Sequence, residues 1–118
     1  MAGSRRLDPL DVFALLDDEY ARSIVAALSY RPMTAETLSD QCEMSLTTAY
    51  RRLNRLESCG FVTAETVVDP DGHHATRYDL AFESLELQVT DGEFRVSLST
   101  ESTTREYADA FTDLWEGL

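Results

Sequence analysis

The stretch that most constrains this chain is Ser45-Leu46-Thr47-Thr48-Ala49-Tyr50-Arg51-Arg52-Leu53-Asn54-Arg55-Leu56. Leu46, Ala49, Leu53 and Leu56 recur at spacings of three, four and three. On a helix turning about 100° per residue, that spacing gathers them into one apolar stripe. Ser45 stands just before the stripe, where a hydroxyl can accept from the unpaired amide hydrogens of a first turn. The opposite face holds Thr47, Thr48, Arg51, Asn54 and Arg55, with Tyr50 and Arg52 on the flanks. These side chains can donate to phosphates and to base edges in a major groove. Between residues 44 and 60 three arginines face one acid, Glu57, a local net of +2 in a chain of net −12.

The neighbouring residues place this helix in a motif. Thr34-Ala35-Glu36-Thr37-Leu38-Ser39-Asp40-Gln41-Cys42 reads as a short helix with a threonine cap, and Glu43-Met44 is a tight link. Glu57-Ser58-Cys59-Gly60-Phe61-Val62 ends the basic helix at a glycine and enters a strand. Helix, short turn, basic helix, glycine and hairpin is the order of a winged helix-turn-helix. Residues 34–62 follow the pattern T-x-x-x-L-x-x-x-x-x-x-S-x-x-T-x-x-R-x-L-x-x-L-x-x-x-G-hydrophobic-V, and in this the sequence resembles the ArsR-like and related prokaryotic winged-helix regulators. Looser similarity runs from about Leu15 to Leu80. The resemblance implies a DNA-binding regulator whose recognition helix spans 45–58, with a wing over 61–80.

Composition bounds the rest. At 118 residues the chain is long enough for one domain with a core. Two distant cysteines fit neither a disulfide framework nor a zinc-knuckle spacing, so a reducing cytoplasm is the expected location. No apolar stretch follows Arg5 and Arg6, so no signal peptide is expected, and no run of about 18 apolar residues offers a membrane span. All ten basic residues are arginine, against 22 acids. Such acidity argues against a nucleic-acid partner in dilute salt. The charge is uneven, however: residues 1–60 carry seven arginines and nine acids, and residues 61–118 carry three and thirteen. An acidic, lysine-free surface also resembles that of proteins from salt-accumulating archaea. In multimolar salt, repulsion is screened to within about 3 Å.

Outside the motif the chain reads in order. Residues 1–7 are expected to be a flexible N-terminus, and Asp8-Pro9 to start a short apolar helix made by Leu10, Val12, Phe13 and Leu16. Asp17-Asp18-Glu19 opens a second helix, with Tyr20, Ile24, Ala27 and Leu28 as its buried side. Strands over 61–68 and 73–80 flank the turn Asp69-Pro70-Asp71-Gly72. This wing would offer His73, His74, Thr76 and Arg77 to the DNA backbone or minor groove. A second hairpin alternates Leu85, Leu87 and Val89 against Phe94, Val96 and Leu98 around Asp91-Gly92, a favoured type I′ pair. That register sets Val89 opposite Phe94, Leu87 opposite Val96 and Leu85 opposite Leu98. Ser99-Thr100-Glu101 then caps a last amphipathic helix with Tyr107, Phe111, Leu114 and Leu118 on its apolar stripe. The ArsR-like resemblance and the two-fold symmetry of DNA half-sites imply a homodimer through this helix.

The expected fold class is α+β: a winged helix-turn-helix over 8–80, with an additional β-hairpin and a C-terminal amphipathic helix over 81–118 in the same compact unit. The DNA-facing candidates are Thr47, Thr48, Tyr50, Arg51, Arg52, Asn54, Arg55, His73, His74 and Arg77, acting on double-stranded DNA. No cofactor, metal site or catalytic residue is expected. The Cys-x-Cys pair of metal-sensing relatives is missing, since only Cys42 followed by Glu43 occupies that helix. His73 and His74 are adjacent, so on a strand they point to opposite faces. No phosphate loop, nucleophile elbow or His-Glu-x-x-His is present. Two other readings stay open. One is a winged-helix adaptor that binds protein rather than DNA; the other is a repressor answering a metal, a redox change at a cysteine or a small ligand.

Overall fold

Leu53, at the centre of the basic helix, is wholly buried, and the elements of residues 8–81 are arranged around it. The computed structural model describes residues 4–100. The expected C-terminal helix falls outside the described residues. Contacts divide the described residues into two units, one of residues 8–81 and the other joining residues 4–7 to residues 82–100.

The first unit runs α1 (Pro9–Asp17), α2 (Glu19–Leu28), β2 (Met33–Thr34), α3 (Ala35–Gln41), α4 (Leu46–Ser58), β3 (Val62–Val68) and β4 (His74–Leu80), following strand β1 (Ser4–Leu7) of the second unit. Each helix start has a chemical cause. Asp8 caps α1 by accepting from the Leu10 amide at 2.9 Å, with Pro9 in the first turn. Asp18 caps α2, accepting from Tyr20 and Ala21 at 2.9 and 3.1 Å. Thr34 accepts from Thr37 to cap α3, and Ser45 accepts from Thr48 at 3.1 Å to cap α4. These acceptors satisfy amides that a helix leaves unpaired at its N-terminus. The turn between α3 and α4 needs one left-handed residue, and Glu43 supplies it at φ 53°. The Ser39 hydroxyl donates to Met44 O at 2.6 Å, and Met44 is buried. At the far end of α4, Gly60 takes φ 77° while its amide donates to Glu57 O and that of Phe61 to Leu56 O. This paired closure steers the chain directly into β3 and buries Phe61.

The wing is an antiparallel sheet in the order β2-β4-β3. Val62 lies opposite Leu80 and Val68 opposite His74, while the two-residue β2 sets Met33 opposite Tyr78. Nothing in the local pattern of Met33-Thr34 announces a strand; the pairing comes from the edge that β4 offers.

The helix faces differ from expectation on α2 and α4, and on α1 the structure selects one: Val12 and Leu15 are buried, while Leu10 is 74% exposed and Phe13 and Leu16 are about a third exposed. Apolar residues occupy most positions of this helix, so its period does not select a face. On α2, Ala21 joins Ile24 and Leu28 inside in place of Tyr20. On α4, Ala49, Leu53 and Leu56 are buried as the stripe predicts, but Leu46 is 40% exposed because it sits in the first turn, before the helix reaches the core.

The second unit is a three-stranded antiparallel sheet, order β1-β6-β5, with β5 at Ser84–Thr90 and β6 at Glu93–Ser99. The hairpin has the expected register, Val89 opposite Phe94, Leu87 opposite Val96 and Leu85 opposite Leu98. Asp91 and Gly92 both have positive φ, 53° and 79°, as a type I′ turn requires. Val96 and Leu98 are buried, whereas Leu87, Val89 and Phe94 near the turn are exposed. The expectation of a loose N-terminus gives way, for residues 4–7, to β1, which pairs Ser4 with Ser99 and Leu7 with Val96. A ladder partner some ninety residues away leaves no mark in a local pattern.

Truncating Leu53 to alanine should lower unfolding free energy by about 2–5 kcal/mol, because it removes fully buried methyl groups and leaves a cavity. The same change at exposed Leu46 should cost far less. Urea unfolding of the two variants beside the parent checks the assignment of faces, and equal losses would contradict it.

Candidate nucleic-acid interface

The polar side of α4 resolves into three kinds of position. Thr47, Arg51 and Asn54 are exposed and lie on one line, at helical spacings of four and three. Arg51 makes no ion pair among the described residues. Thr48 is half-buried, its amide and hydroxyl both engaged by Ser45, with the hydroxyls 2.9 Å apart. Tyr50 is turned toward α3, its phenol donating to Glu36 Oε1 at 3.3 Å. Burial and the adjacent Glu36 carboxylate push that phenol's pKa up, so it remains a donor.

Arg52 and Arg55 are not free cations. Arg52 Nε lies 2.6 Å from Asp18 Oδ2, and the Arg52 guanidinium also stands 5.7 Å from the centre of the Tyr20 ring. Charge attraction to Asp18 and the contact with the Tyr20 ring together hold the guanidinium in place. Arg55 Nη1 reaches the same carboxylate oxygen at 3.6 Å and is more exposed, at 46% against 25% for Arg52. Arg52, one of the DNA-facing candidates of the sequence, has a guanidinium that ties α4 to the start of α2. Asp18 was read from the sequence only as an acid at a helix start. Its partner lies 34 positions further on, a distance no local periodicity can span.

Asp18 thus serves two helices with one carboxylate. Oδ1 accepts from the amides at the head of α2, and Oδ2 faces the two arginines of α4. Partial burial pushes its pKa up, but the Ala21 amide, the Arg52 guanidinium and the Tyr20 amide outweigh that and hold it below the ordinary aspartate value. Arg22 completes the junction by donating to Leu16 O at 2.5 Å, at the C-terminal end of α1.

The wing offers less positive charge than its sequence suggested. Arg77 is tied to Glu65 across β3 and β4 at 2.5 Å. At the tip, Asp69, Asp71 and His73 are brought together, their ligand-type atoms all within 4.8 Å of one another and all three residues exposed. Asp69 Oδ1 accepts from the amides of Asp71 and His73, which accounts for the cluster as a closed turn. Gly72 takes φ 82° there, with open space around the position of an added Cβ. His74 is exposed at the start of β4.

A shallow cleft of about 280 Å³ opens between α1 and α4, with Asp11, Leu15, Asn54, Arg55 and Cys59 in its walls. Burial pushes the Cys59 thiol up, with the Asp11 carboxylate adding to the rise and Arg55 opposing it. Cys42 is likewise raised by burial, and its thiol points at Ser23 O, 3.6 Å away. Raised values keep both cysteines as thiols, the less nucleophilic form. Among the described residues, no helix is long and apolar enough to cross a membrane.

Residues 16–65 match a family model described as a helix-turn-helix domain. The match begins at the end of α1 and ends in β3, so it contains α2, α3, α4 and the turns that orient them. This segment of the chain is therefore similar to a helix-turn-helix domain. No curated protein matches the chain.

The lowered pKa of Asp18 fixes the sign of a pH effect. A carboxylate held below its unfolded value lends stability that is fully present above that value, and this is lost as pH falls through the folded pKa. The parent should therefore melt higher than Asp18→Asn near neutrality, and the difference should shrink as pH drops below the ordinary aspartate value of 3.8. Thermal melts across that range check it, and a constant difference would mean the carboxylate's charge is not what stabilises the junction.

Proposed function

We propose that the protein is a sequence-specific DNA-binding transcriptional regulator, similar to ArsR-like proteins, that inserts α4 into the major groove. The observation that carries this reading is the exposed line of Thr47, Arg51 and Asn54, directly opposite buried Ala49, Leu53 and Leu56. Arginine can bind guanine O6 and N7 in bidentate fashion, and asparagine can do the same with adenine N6 and N7. Arg51, with no ion pair among the described residues, is the α4 arginine available for that work. Arg55 and the groove-facing threonines contact the backbone, as do His73, His74 and Arg77 on the wing. Binding as a homodimer, with residues 101–118 as the joining segment, would match two-fold half-sites. A cytoplasm rich in potassium salt, as in haloarchaea, would screen the acidic surface and let the arginine patch approach phosphates.

An adaptor reading draws on the wing. Glu65, Asp69, Asp71 and Asp79 put four carboxylates on it, and Arg77 is already paired. A protein partner with a basic surface would fit that hairpin better than DNA does.

Selection of bound fragments from random duplex DNA, in concentrated potassium chloride, separates the two. The parent should enrich one motif, and a palindrome would establish the dimer. Arg51→Ala should lose about 1–3 kcal/mol of binding and relax preference at a single base pair. An equal loss on every sequence would make Arg51 a phosphate contact, and no enrichment by the parent across a salt series would favour the adaptor.

A further inference from the structure

The Asp18 carboxylate occupies a place well suited to an anion. It sits at the N-terminus of the ten-residue α2, accepting from two backbone amides, and it faces two guanidinium groups of α4. Amides at a helix start together with arginines are the groups that proteins turn toward phosphate. The two arginines are held unequally. Arg52 is close, stacked beside Tyr20 and mostly covered, so it is fixed. Arg55 is a full ångström farther from the oxygen, nearly half exposed, and near the end of the helix that the proposed function places in the groove. An exposed pair at that distance is weak and exchanges readily for another anion.

We infer that Asp18 tempers the phosphate affinity of the DNA interface, an internal carboxylate that competes with DNA phosphates for Arg55 and so weakens binding that does not depend on sequence. The inference rests on the DNA-binding reading and adds to it a residue that touches no base. Sequence-independent affinity comes chiefly from phosphates neutralised by cations and the counterions thereby released. A carboxylate already beside Arg55 removes one such cation from the count on any duplex.

The test uses Asp18→Asn in the full chain, since asparagine keeps the cap of α2 and removes only the charge. Binding to a random-sequence duplex is followed by fluorescence anisotropy over a potassium chloride series in which circular dichroism shows each protein folded. If the asparagine variant does not fold, Asp18→Ser, also a capping residue, takes its place. The variant is expected to bind the random duplex severalfold more tightly, with a plot of log affinity against log salt steeper by about 0.9, the value for one additional phosphate contact. In an Arg55→Ala background the same Asp18 change should leave slope and affinity as they were. Equal slopes for parent and Asp18→Asn would overturn the inference while leaving the DNA-binding reading intact. A steeper slope that persists without Arg55 would also overturn it, by assigning the effect to general charge. Absence of binding by every variant would overturn both readings.

Discussion

The burial of one stripe on α4 is the interaction on which the rest of the structure depends. Ala49, Leu53 and Leu56 are wholly buried, and the turn at Gly60 brings Phe61 into the same interior. Because a helix presents its faces at fixed angles, seating this stripe settles where every other side chain of α4 points. Thr47, Arg51 and Asn54 are displayed outward as a consequence of what lies inward. The position of the wing follows too, since β3 begins two residues after Gly60.

A second constraint is electrostatic. In a chain with 22 acids and ten arginines, a positive surface has to be kept small and defended. The structure divides the three arginines of α4 among three tasks. Arg52 is part of the frame, held by Asp18 and Tyr20; Arg55 is loosely held by the same aspartate; Arg51 is left outward. A count of charges on the helix treats them as equivalent, whereas distance and exposure separate them. The same holds on the wing, where Arg77 is paired with Glu65 and His73 sits beside Asp69 and Asp71. Whatever binds the wing meets a surface close to balanced or acidic.

Much of the architecture was legible because its causes are local. Ser45, Thr34, Asp8 and Asp18 cap helices with side chains that reach amides two or three residues away. Asp91-Gly92 takes the two positive φ angles that its residue types allow, and this set the whole register of the β5–β6 hairpin. Where the reading missed, the cause was distant. Leu10 and Val12 are both apolar on a helix that is apolar almost all round, and only the neighbours of α1 decide which one is covered. Residues 4–7 hold no strand signal, yet they complete a ladder on β6. Met33-Thr34 is too short to announce itself and is a strand only because β4 is beside it.

The candidate site divides along the same line. The sequence alone determined that a capped, amphipathic, arginine-bearing helix follows a short helix and precedes a glycine and two hairpins, because spacing, capping and turn chemistry act within a few residues. It also nominated the side chains that could meet DNA, since their residue types and helical phase are fixed by the chain itself. Only the tertiary structure decided which of these are at liberty. Asp18 and Arg52 are 34 residues apart and meet because α2 and α4 pack together, and the strength of an ion pair depends on separation and solvent in three dimensions rather than on order along a chain.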